Sequence, residues 1–184
     1  MPPLTAKEKF LAVAEKYGFS LFGVPKSGQL FSYELWDDGY YQTGYPKKGP
    51  RFIDNQDGTI TDMGSALMWV KQPEKIGILW NVSGNPAVMT WQDALINCAS
   101  LNYAGYYNWR LPNVKELLAL VHHEFWSPAI YTLFFPNTQK DRYWTSTTYA
   151  NDVTLAWFVQ FAGGFTDHWY KVDKDFVRPV RCIF

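Results

Sequence analysis

Residues Tyr143 to Cys182 read YWTSTTYANDVTLAWFVQFAGGFTDHWYKVDKDFVRPVRC, with apolar anchors at Trp144, Trp157, Val159, Phe161, Val177 and Val180 set between large polar and aromatic residues that have no evident packing duty. Side chains alternate between the two faces of a strand, so in 155–162 the anchors Trp157, Val159 and Phe161 share one face while Phe158 and Gln160 take the other. One face then holds a core and the other is free to vary. Tyr149, Asn151, Asp152, Asp167, His168, Trp169 and Tyr170 fall between the anchors and read as displayed. Aromatics with a polar handle give much contact area for little lost side-chain entropy, which is why binding surfaces are rich in them. The stretch predicts strands over 143–148 and 155–162 and a turn at Gly163-Gly164. Beyond these it predicts a polar loop through Lys171 that carries His168, Trp169 and Tyr170, and a closing strand over 176–184.

Upstream, Thr90 with Asp93 caps a helix over 91–101 in which Trp91, Ala94, Leu95, Cys98 and Leu101 share a face. Asn113 with Glu116 makes a capping box for a second helix over 114–122, through Val114, Leu117, Leu118 and Val121. Before them, RFIDNQDGTITD at 51–62 is a β-hairpin around Asp57-Gly58, followed by a strand within 63–72 and a long loop over 73–89 that contains Trp80. A calcium-loop reading of this hairpin fails on position. With Gly58 sixth, Ile53 stands first, where a carboxylate is required, and no Glu stands twelfth.

At the start, Thr5 and Glu8 form another capping box, and Phe10, Leu11, Val13, Ala14 and Tyr17 give a helix over 6–17 its apolar stripe, with Gly18 as the stop. That stripe either docks on the body or joins a homo-oligomer. Residues 18–49, rich in Gly, Pro and Tyr, read as an extended N-terminal segment of turns. Strands first, two helices in the middle and strands last imply an α+β fold with a mainly antiparallel sheet. The chain reads as a single domain, 1–184, whose body is 50–184.

The 184 residues suffice to bury a sizeable core, about 70% of the unfolded surface. Nine Trp, twelve Tyr and thirteen Phe make 18% of the chain aromatic, so some rings must reach the surface. Seventeen basic residues balance seventeen acidic ones, and the longest basic run is Lys47-Lys48, which leaves no extended positive field for nucleic acid. No window has the length and apolarity for membrane insertion, and MPPLTAKEKF lacks the basic segment and apolar run of a signal peptide. Cys98 and Cys182 are too far apart for a CxxC pair and leave one disulfide or two buried thiols open.

Catalytic motifs are missing as well. His122, His123 and Glu124 are helix neighbours that point about 100° apart, not an HExxH pair, and read as exposed or capping residues near a helix end. No nucleophile motif accompanies His168, and no phosphate-binding loop is present. Arg110, Arg178 and Arg181 are flanked by core residues and should pair with acids or carbonyls. Trp69, Trp91, Trp109, Trp144 and Trp157 are assigned to the core or its rim.

PRFIDNQDGTITDMGSALMWVK, TWQDALINCASLNYAGYYNWRLPNVKELLALV, FFPNT, YWTSTTYA, AWFVQFAGG and VRPVR together resemble the Legionella collagen-like protein C-terminal domain family over about 50–182. The resemblance implies a C-type-lectin-like fold, with two helices flanking a twisted antiparallel sheet and terminal strands that lie together. It also implies a place on a virion or cell surface, facing outward. Relatives serve as adhesin tips, some trimeric and glycan-binding, and some proteins of this fold are the variable proteins of diversity-generating retroelements. A Cys98–Cys182 disulfide between helix and last strand is compatible with the resemblance. Pro179 stands where relatives place a cysteine, and it suggests an edge or bulge.

From these readings the expected function is non-enzymatic binding of a protein or glycan ligand on another cell or surface, without metal or cofactor. The contacts are assigned to Tyr149, Asn151, Asp152, Phe158, Gln160, Asp167, His168, Trp169 and Tyr170. Two rivals are an enzyme of the formylglycine-generating type, which needs a reactive cysteine pair, and a trimer-forming structural tip.

Overall fold

Capping chemistry places the helices. In the computed structural model, which describes residues 4–17, 24–45, 50–77, 81–82 and 85–184, the first helix is α1, Ala6–Tyr17. Thr5 and Glu8 close its capping box at 2.8–3.3 Å. Its Phe10 and Ala14 are buried, and Phe10 meets Phe184 edge-on at 5.5 Å, so the stripe docks on the body while Leu11 stays exposed. The expected Gly18 stop and the Lys47-Lys48 run lie outside the described residues, as does Trp80.

Between Pro25 and Tyr45, which pair as an isolated bridge, the N-terminal segment contains a short helix, α2, Asp38–Tyr41, that the turn-rich sequence does not predict. Asp37 caps it by accepting from Tyr40 N. The hairpin of β1, Phe52–Asp54, and β2, Thr59–Asp62, forms as expected and continues into β3, Leu67–Val70. The stretch expected as a long loop instead holds a 3-10 turn, Pro73–Lys75, and three short strands. These are β4, Asn81–Val82, β5, Asn85–Pro86, and β6, Val88–Thr90.

Helix α3, Trp91–Ala99, starts at Thr90, whose hydroxyl accepts from Asp93 N. Helix α4, Val114–Leu118, starts at the Asn113–Glu116 capping box. Both end earlier than the apolar spacing suggests. Then come β7, Arg142–Thr148, β8, Leu155–Gln160, β9, Phe165–Tyr170, β10, Lys174–Phe176, and β11, Val180–Cys182.

The fold is mixed α+β, but the single sheet expected from the sequence is two. One has the order β1-β2-β3-β11 and the other β6-β10-β7-β8-β9, with β4-β5 as a small ribbon. Among the described residues, the pairings between these strands are antiparallel except β10 against β7. The closing strand predicted over 176–184 is therefore two strands in different sheets, and Val177-Arg178-Pro179 makes the crossing. There Arg178, 1% exposed, donates to Val70 O and Lys71 O at 2.8 Å and to Thr138 Oγ1 at 2.9 Å. Proline suits this point because it has no amide hydrogen to satisfy, while its carbonyl accepts from Val70 N at 3.1 Å.

Two apolar clusters form the core, and the same strands feed both. Met68, Val70, Trp144, Ala156 and Phe158 join Phe10, Ala94 and Cys98 in one, whereas Leu67, Trp69, Tyr143, Val159 and Phe161 join Leu117, Leu120 and Val180 in the other. Central strands are thus buried on both faces, which overturns the reading that β8 has one free face. Cys98 and Cys182 are unpaired thiols, the first buried and the second exposed, so neither the disulfide nor two buried thiols is found.

Candidate functional site

Strand β9 is one edge of the five-stranded sheet, with β6 at the other, and its pairing with β8 fixes which of its side chains share a face. Ala156 faces Trp169, Phe158 faces Asp167 and Gln160 faces Phe165 on one side, while Leu155 faces Tyr170, Trp157 faces His168 and Val159 faces Thr166 on the other. The residues expected in a polar loop are therefore strand residues. Their polar alternation, an edge-strand signature, hid the strand from the sequence reading.

On the first side lies an open groove of about 540 Å³ lined by Asp141, Arg142, Phe158, Gln160, Phe165, Asp167, His168 and Trp169. Arg142, which the sequence reading passed over, organises it. Its guanidinium stacks on the Trp169 ring at 4.4 Å and lies 5.7 Å from that of Phe158, while its Nε donates to Asp175 Oδ1 at 3.0 Å. Asp175 is only 4% exposed, and burial pushes its carboxyl up to about 7 even with the Arg142 charge beside it. A cation held between a carboxylate and an indole leaves little rotamer freedom to the arginine or the tryptophan.

On the second side, His168 stacks face to face on Tyr149 at 4.0 Å, and Trp157 meets both rings nearly edge-on at 5.5 and 5.8 Å. His168 Nδ1 lies 3.0 Å from Asp167 Oδ1, an ion-pair distance without hydrogen-bond alignment. Asn151 and Asp152 occupy the exposed loop between β7 and β8. Asp152 has a structural task there. Thr154 donates to it from its hydroxyl at 2.7 Å and from its amide at 2.9 Å, which holds its carboxyl below the usual carboxylate range.

The nine residues assigned from sequence therefore do not form one patch. Phe158, Gln160, Asp167 and Trp169 meet at the groove, which His168 also borders; Tyr149 and Tyr170, with the His168 ring stacked on Tyr149, lie on the other face; Asn151 and Asp152 are at the loop. Phe158 needs correction as a displayed contact, because it is 4% exposed and packs in the cluster with Trp144 and Ala156, leaving only an edge at the groove floor. Trp169 and Tyr170 are exposed, at 38% and 55%. Besides Arg142, the reading missed Asp141, Phe165 and Asp175. Register across four strands, β10, β7, β8 and β9, brings them together, and no local motif announces that.

The structural arginines fall as expected. Arg110 forks onto Glu116 with two bonds of 2.7 Å, and Arg181 donates to Asn108 Oδ1 at 2.6 Å. His122 does not fit its expectation as an exposed or capping residue, since it is half-buried beneath the N-terminal segment.

Fold and groove define a mixed α+β domain with an aromatic, charged surface on a strand edge. The pattern of the Lcl C-terminal domain matches residues 58–181, and the chain belongs to that family. No curated protein matches it. Among the described residues, no helix is long and apolar enough to cross a membrane.

Proposed function

We propose that this chain is a non-enzymatic ligand-binding domain of C-type-lectin-like fold, displayed outward on a phage or bacterial surface as a receptor-recognition protein of the diversified kind. The contact surface is the β8–β9 edge with the Arg142–Trp169 groove. One observation carries the reading: β9 is tied to β8 by backbone pairing, while its own side chains contribute nothing to either core cluster. Such a strand can change its surface without disturbing the scaffold. Membership of the Lcl family supports a surface-binding role. Exposed Trp and Tyr beside charged groups suit a protein patch and a glycan alike. Against the formylglycine-generating type of enzyme stands the cysteine chemistry. Cys98 is sealed in the core, where burial pushes its thiol far up, and Cys182 is unpaired and exposed.

The test starts from wild-type protein screened on a glycan array and on immobilised bacterial surface preparations. The best-bound surface is then titrated with the Trp169→Ala, Tyr170→Ala double variant. Loss of binding by about tenfold or more is expected, with the melting temperature lowered by only a few degrees. Undiminished binding sinks the site assignment.

A further inference from the structure

A second cavity, of about 310 Å³, shares no lining residue with the groove and lies where the N-terminal segment crosses the body. The crossing is closely built. His123 N donates to Ser27 O at 3.0 Å, and Glu124 accepts from Leu30 N at 2.9 Å and from Tyr33 Oη at 3.0 Å. Gly28, at φ +95°, lies so near that a Cβ there would come within 2.5 Å of the His122 ring. Only glycine takes this place, and the segment is thereby pressed onto His122.

The walls are rings. Phe52, Tyr131 and Phe134 line the cavity, and His122, 5.6 Å from Tyr131 and 4.6 Å from Phe125, extends them. Burial, then the nearby Arg51 charge, pulls the His122 pKa down, so its imidazole stays uncharged near neutral pH. The charged lining is of one sign. Lys26 and Arg51 border the cavity, and no carboxylate does among the described residues. Arg51 is already matched by Asp62, which accepts from Nε at 3.1 Å and Nη2 at 3.0 Å. Its Nη1 makes only one long contact, 3.5 Å to Lys26 O, which leaves a donor to spare. Lys26 has no acidic partner among the described residues.

A ring-walled cavity at the small end of the roughly 300–1,000 Å³ ligand range, with unmatched positive charge at one border, selects its occupant by shape and charge together. We infer that it binds a small aromatic carboxylate, the ring held among Phe52, Tyr131 and Phe134 and the carboxylate at Lys26 Nζ and Arg51 Nη1. A neutral ring would leave Lys26 unmatched, and an aliphatic acid would forgo the stacking.

The inference is tested on the full chain labelled with ¹⁵N. Phenylacetate, indole-3-acetate and 4-hydroxybenzoate are titrated beside their neutral amides, and backbone amide shifts are followed. The expected result is saturable shifts confined to 26–30, 51–52 and 122–134 for at least one acid, with an affinity about fivefold or more above its amide. Lys26→Gln should remove that preference without changing the melting temperature, and Gly28→Ala, which lifts the segment off His122, should abolish the shifts. The inference is overturned if none of the acids gives saturable shifts there, if acid and amide bind alike, if Lys26→Gln keeps the preference, or if the shifts gather at 141–169 instead.

Discussion

The carboxyl of Asp175 makes the groove sensitive to pH. Burial raises its pKa to about 7 from the ordinary 3.8, so the folded protein holds this proton more tightly than the unfolded chain. Its contribution to stability is therefore fully present below the unfolded value and is lost as pH rises through the folded one. His122 acts in the opposite sense, because its lowered pKa makes the unfolded chain the better proton binder and favours folding as pH rises. Asp37, pulled down to about 2, loses its contribution only in stronger acid, outside this window. Comparison with Asp175→Asn separates the terms. Melting temperatures measured at about pH 5 and about pH 7.5 should show that the variant gains on wild type at the higher pH, since an amide carries no charge to desolvate. An equal pH response in the two proteins would contradict the raised pKa.

At the scale of elements, the helix starts were the most legible part of the sequence because a cap is a local device. Asn113 Oδ1 accepts from Glu116 N at 2.9 Å while Glu116 Oε2 accepts from Asn113 N at 2.8 Å, and that carboxylate also receives Arg110. Asn113→Ala should lower the unfolding free energy by about 1 kcal/mol and Asn113→Gly by only a few tenths, measured by urea denaturation. Both variants lack the side-chain acceptor, so equal losses would mean that this acceptor alone, and not backbone freedom at position 113, sets the cap. Strand ends were less legible, for a reason the crossing at 177–179 makes plain. Val177 is buried in one cluster and Val180 in the other, and an apolar run that changes sheets looks in sequence like one continuous strand. The groove was legible in part, through the assigned Phe158 and Gln160 on β8 and Asp167 and Trp169 on β9. Trp169 and Tyr170 announce themselves as large aromatics among polar neighbours, whereas Arg142 and Asp175 acquire their roles only from the β10-β7-β8-β9 order.

Across the whole molecule the two clusters explain why alternation misjudged Phe158. A two-residue period locates a free face only when one side of the sheet is covered, and β8 lies between β7 and β9 with a cluster on each side. Scaffold and display are thus divided between strands, not between the faces of one strand, and β9 alone of the β7-β8-β9 set carries mostly exposed side chains. This division predicts a contrast in stability. Phe158→Ala, which empties a core position, should cost about 3–5 kcal/mol. Asp167→Ala and Tyr170→Ala should each stay within about 0.5 kcal/mol. Trp169→Ala, which gives up the Arg142 stacking, should cost about 1 kcal/mol. Urea midpoints for the four variants measure the contrast directly. If the β9 substitutions prove as costly as Phe158→Ala, the edge strand belongs to the scaffold, and a surface that varies without loss of fold has to be sought elsewhere on the protein.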